Sequence, residues 1–176
     1  MKFSVLFVLL VCVMLAGCGK PDPEEYVGKA TVAINAKNFA LAIEEYEKLI
    51  NDHPRSVQAE QAMFTIAKIQ SDELKDFPKA IESYKRYAEK YPDGKNAPLA
   101  LFLTAYIYHN ELNDLGNAKG SYEAFLAKYP NHEMAQSATF ELQNLGKKPE
   151  DLLPAIQESA PQAASQTATT KSGKKK

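Results

Sequence analysis

Between Glu24 and about Gly146, apolar side chains return every three or four positions, and no alternating stretch rich in Val, Ile and Thr interrupts them. With about 3.6 residues per helical turn, that spacing predicts amphipathic helices and no strands. Phe39, Ala42, Ile43, Tyr46, Leu49 and Ile50 form one stripe, while Glu44, Glu45, Glu47 and Lys48 fall mostly outside it. Ahead of this region the pattern is different. Phe3 to Leu15 is apolar apart from Ser4, follows Lys2, and has no polar face. The run is too short for a membrane-spanning helix and matches the hydrophobic stretch of a secretory signal.

The helical region repeats itself with a period of 38 residues. Ala42, Ala80 and Ala118 coincide under that shift, as do Tyr46, Tyr84 and Tyr122, and Pro54, Pro92 and Pro130. Beyond each proline the register continues through Ala59, Ala97 and Ala135, through Ala62, Ala100 and Ala138, and through Phe64, Phe102 and Phe140. The predicted helices are 24–36, 39–51, 56–74, 77–90, 96–112, 115–128 and 132–145, turning at Lys37-Asn38, Lys75-Asp76 and Asn113-Asp114. A two-helix unit of this kind buries its apolar face only by stacking on a neighbour. The expected fold is therefore all-α: a solenoid of three helical hairpins over 24–146, closed by a capping helix.

Composition narrows the chemistry. The 176-residue chain has a formal net charge of −1, which gives no basic field for nucleic acid. Residues 18–158 hold 16 basic and 22 acidic side chains, a net of −6. The two cysteines, Cys12 and Cys18, precede the repeats, so no disulfide staples the domain. No nucleophile sits beside a base, and no metal-binding spacing or glycine-rich phosphate loop occurs. His53 and His132 flank repeat-closing prolines, and His109 stands alone on its helix. The reading is of a protein that is not an enzyme, with no cofactor, no metal and no small-molecule substrate.

Leu15-Ala16-Gly17-Cys18 resembles the lipobox of bacterial lipoproteins. The resemblance implies cleavage after residue 17 and acylation of Cys18, with 18–23 as a lipidated tether held on the membrane by several acyl chains, each buried CH₂ adding about 0.8 kcal/mol. Gly19, after the modified cysteine, differs from the Asp that resembles an inner-membrane retention signal, so the implied location is the outer membrane, facing the periplasm.

The repeat columns are similar to tetratricopeptide repeats: an aromatic in the first helix, then Ala, Tyr and a terminal Pro in the second. Two departures are visible. The period is 38 against about 34 in that family, and the small residue of the first helix, Ala30 in the first repeat, recurs one place displaced as Ala67 and Ala105. A lipobox followed by such repeats resembles the BamD family of β-barrel assembly lipoproteins, the likeness being carried by Ala42 to Pro54 and Ala80 to Pro92. That family has more repeats than this chain. The resemblance implies a membrane-attached adaptor whose partners are envelope proteins, possible barrel-assembly subunits among them. A second reading is a structural lipoprotein of the cell wall or of the Tol-Pal division system.

In stacked hairpins the first helices line the concave side, so Thr65, Ile69, Asp72, Leu103, Tyr106, His109 and Asn110 are the candidate partner-binding residues. Packing between repeats is the simpler reading for Ile69, Leu103 and Tyr106. Residues 147–158 read as a short extension with one turn of helix. Residues 159–176, ending in Lys171, Lys174, Lys175 and Lys176, read as a disordered basic tail.

Overall fold

The computed structural model describes residues 19–147. Its helices are α1 (Pro23–Asn35), α2 (Phe39–Asp52), α3 (Val57–Lys68), α4 (Phe77–Lys90), α5 (Ala97–Tyr106), α6 (Leu115–Lys128) and α7 (Ala135–Gln143), with π-helical turns continuing α3 at Ile69–Glu73 and α5 at Ile107–Glu111. Each helix packs on the next in sequence, and α1 also touches α3, the arrangement of stacked hairpins. Among the described residues there are no strands, and they form the predicted all-α stack of three helical hairpins followed by α7 as the seventh helix. The lipobox with Cys18, the 147–158 extension beyond Lys147, and the basic tail lie outside the described residues.

The 38-residue period is written into the backbone as well as the core. Lys37, Lys75 and Asn113 adopt positive φ of 56°, 53° and 49°, the left-handed conformation that ends a helix and reverses the chain. The next residue in each case, Asn38, Asp76 or Asp114, caps the second helix, its side chain accepting from the backbone N–H three positions on. The core repeats in the same way. Ala42, Ala80 and Ala118 are completely buried, and Tyr84, Tyr87, Tyr122 and Phe125 fill the space beside them. Phe64 meets Tyr84 and Tyr87 edge-on at 5.6 and 5.3 Å, and Phe102 repeats the contact with Tyr122 and Phe125 at 5.8 and 5.9 Å.

Two predicted helices, 56–74 and 96–112, change character near their ends. In the first hairpin the Asn38 N–H bonds the carbonyl of Ala33, five residues back. The equivalent bonds in the next two, from Asp76 to Gln70 and from Asp114 to Tyr108, span six. A π turn accommodates one inserted residue within a helix. The displacement of Ala67 and Ala105 relative to Ala30 is this insertion seen in sequence. The last helix begins at Ala135 instead of 132 because the His132 carbonyl and Nδ1 accept from Ala135 N–H and Met134 N–H, closing a separate turn first.

The N-terminal tether is tied to the first hairpin. Lys20 pairs with Asp52 at 3.1 Å, His53 Nε2 lies 2.7 Å from the Pro21 carbonyl, and the Tyr26 hydroxyl donates to Asp52. His53 belongs to a column of residues that end the second helices. Its counterparts Tyr91 and Tyr129 donate to the carbonyls of Pro54 and Pro92, one repeat earlier.

Candidate protein-binding surface

Burial divides the candidate residues along the 38-residue period. Ile69 and its equivalent Ile107 are 5% and 2% exposed, so Ile69 belongs to the core and offers nothing to a partner. The π turn explains this, because it carries Ile69 round to the face that packs on α2 and α4. Thr65 and Leu103, again equivalent, are half-buried. Leu103 packs on the main core, and Thr65 Oγ1 donates to the Gln61 carbonyl at 2.8 Å. Asp72 and Asn110 occupy equivalent exposed positions, and Tyr106 is 39% exposed beside Asn110, whose Nδ2 donates to the Tyr106 carbonyl. Tyr108, by contrast, packs against the main core, with Lys85 over its ring at 5.2 Å.

His109 faces the last helix. Its Nδ1 is 3.3 Å from Glu141 Oε2 without hydrogen-bond alignment, and its ring lies edge-on to Tyr122. The Tyr122 hydroxyl is buried with no protein partner; burial first, then the charge of Glu141, pushes its pKa up. Tyr84, one repeat earlier, is pushed up by burial and then by the charge of Asp72. Tyr122 was legible as a core column. Glu141 was not, because its role depends on α7 meeting the π turn.

A second surface escaped the sequence reading. Gly28, Val32, Ala33, Ala36 and Leu41 line a largely apolar groove of about 640 Å³ at the open end of the first hairpin, edged by Glu25, Lys29 and Glu45. Val32 is 69% exposed there. The signal was faint, a Val and a Leu off the core stripe opposite a Gly.

Chemically, these surfaces offer aromatic edges, amides, carboxylates and apolar area, which suit protein recognition. Among the described residues no three His, Cys, Asp or Glu side chains gather into a metal site, and no helix is long and apolar enough to cross a membrane. No curated protein matches the chain. Residues 20–149 match the family model YfiO, described as outer membrane lipoprotein, and the match spans most of the chain and every repeat. The chain therefore belongs to the YfiO family of outer membrane lipoproteins.

Proposed function

We propose that this protein is a lipid-anchored periplasmic adaptor of the outer membrane, held through Cys18 and recruiting an envelope protein through its first helices and π turns, in a BamD-like role in β-barrel protein assembly. The observation that carries the reading is the pair of period-related positions left outside the core, Asp72 and Asn110, with Tyr106 beside them. A repeated row of exposed groups on a stiff stack is the kind of surface along which solenoids bind partners. Family membership supports the envelope setting, and the docking of Lys20 and Pro21 on Asp52 and His53 supports a short link between anchor and body.

Affinity capture from solubilised envelopes tests it. The wild-type chain is expected to recover a barrel-assembly subunit, and the Tyr106→Ala/Asn110→Ala double variant to lose most of that recovery, since an exposed aromatic anchor contributes about 2 kcal/mol or more where it is a hot spot. Failure of the wild type to recover any such subunit rejects the assembly role. Replacement of Cys18 by Ser is expected to release the protein into the soluble fraction, and continued membrane attachment rejects the anchor.

A further inference from the structure

We infer that the end face of the first hairpin, around Val32, docks an amphipathic helix of another protein, one whose apolar stripe carries a Lys or Arg placed to meet Glu45. This surface is separate from the row of Asp72, Asn110 and Tyr106, and it does not depend on the anchor at Cys18.

The bonds at the chain reversals fix which residues correspond. The N–H groups of Asn38, Asp76 and Asp114 bond the carbonyls of Ala33, Gln70 and Tyr108. The residues just before these, Val32, Ile69 and Ile107, therefore form one column, and Gly28, Thr65 and Leu103 form another about one turn earlier. In the third hairpin Leu103, Ile107 and Tyr108 pack with the larger core cluster, which includes α4, and not with the cluster built around α6. The columns thus face the second helix of the preceding hairpin, and Lys85 of that helix lies 5.2 Å over Tyr108. Among the described residues the first hairpin has no predecessor. Val32 is accordingly 69% exposed, where Ile69 and Ile107 are 5% and 2%.

This end is not capped as solenoid ends usually are, with a polar outer face. Leu41 stands 40% exposed where the later hairpins have Lys79 and Asn117, and it lines one groove with Gly28, Val32, Ala33 and Ala36. The stretch just before α1 does not cover it, because Lys20 and Pro21 are tied to Asp52 and His53, at the other end of the hairpin from Ala36 and Leu41.

Charge selects the occupant. Glu45, on the groove wall, replaces Ser83 and Ser121 of the later hairpins. Its Oε1 accepts from Lys48 at 2.7 Å, and its Oε2 has no hydrogen-bond partner among the described residues. Lys48 is shared with Glu44 at 2.8 Å, so one carboxylate charge stays unbalanced, while Glu25 and Lys29 neutralise each other across the groove. In the third hairpin Asn117 and Ser121, the counterparts of Leu41 and Glu45, line a groove together with Lys85 of α4. A helix seated on the first hairpin as α4 is seated on the third brings its residue at the Lys85 position over Glu45, where a cation is attracted and an anion repelled.

Peptide titration of the full chain in detergent tests this. The probe is a synthetic peptide of residues 77–90, the α4 sequence with four basic and two acidic residues, side-chain cross-linked because so short a helix is marginal in water. Fluorescence anisotropy is expected to show binding, with slowed amide exchange at Val32 and Leu41. Val32→Asp and, separately, Leu41→Lys, which installs the residue of the second hairpin, should each weaken binding about tenfold or more. Glu45→Gln in the protein or Lys85→Glu in the peptide should weaken it about threefold or more, and circular dichroism checks that each protein variant folds. No binding up to about 1 mM peptide overturns the inference, as does affinity that survives Leu41→Lys or Lys85→Glu, or that falls in the Tyr106→Ala/Asn110→Ala variant instead. A wild-type dimer that Val32→Asp dissociates in sedimentation assigns the face to a second copy and also overturns it.

Discussion

Tyr87 and Tyr122 are both fully buried, but only one of their hydroxyls has a protein partner. Tyr87 donates to Glu60 Oε1 at 2.8 Å, and burial together with that carboxylate pushes its pKa up to about 12. A hydroxyl that is bonded contributes about 1 kcal/mol net, whereas a buried one without a partner costs about 1–3 kcal/mol. Opposite outcomes are expected from the same chemical deletion. Tyr87→Phe should lower stability by about 1 kcal/mol, and Tyr122→Phe should raise it by about as much; urea unfolding of the two variants checks both signs. That these positions are buried was legible in the sequence, because they recur with the period. Whether the hydroxyl finds an acceptor was not, since Glu60 comes from another helix and no spacing encodes its reach. The same holds for the tether, where Lys20, Pro21 and Tyr26 meet Asp52 and His53 across the first hairpin.

At the scale of the element, the chain reversals carry the period most faithfully. Lys75 holds a left-handed backbone that costs a side-chain-bearing residue about 1–2 kcal/mol relative to its ordinary conformations. Lys75→Gly is expected to stabilise by less than this, about 0.5–1 kcal/mol, because glycine gives back part of the gain as unfolded-chain entropy; a rise in Tm checks it. The caps beside these turns add a pH dependence. Asp76 is held below the usual carboxylate range chiefly by Lys79, and Asp114 chiefly by the Asn117 N–H. A carboxylate with a lowered folded pKa stabilises above its unfolded value near 3.9, and that contribution is lost as pH falls through the folded value. Asn38, the cap of the first hairpin, does not titrate. Converting Asp76 and Asp114 to Asn is therefore expected to flatten the loss of Tm between about pH 5 and pH 2, and an unchanged acid limb would show that the caps do not cause it. The helix ends expected at 51, 90 and 128 from prolines and periodicity fall at 52, 90 and 128. The π turns were legible only as a one-place slip of Ala67 and Ala105 against Ala30, because periodicity reports that a residue is extra but not how the backbone absorbs it.

Across the whole molecule the core is unequal along the stack. One cluster runs from Tyr26 in α1 to Ile107 after α5, and a smaller one joins Ala105, Tyr122, Phe125 and Ala138 at the far end. The sequence columns make all repeats look alike; the inequality arises because α4 packs on α3, α5 and both π turns, whereas α6 packs on α5, α7 and the second π turn. Phe125 is completely buried among Phe102, Tyr129 and His132, with ring centroids 5.9, 5.7 and 6.1 Å away. Removing such a ring costs about 3–5 kcal/mol, and in a stack where each unit touches only its neighbours the loss should stay where it is made. Phe125→Ala is expected to raise hydrogen exchange in α6 and α7 while α1 to α4 keep their protection. Tyr84→Ala, within the larger cluster that spans three hairpins, should instead lower protection on both sides of α4. Equal loss throughout the chain in the Phe125 variant would mean that the helices unfold as one cooperative unit, since a local cavity spreads its cost evenly only when no sub-global opening competes with complete unfolding.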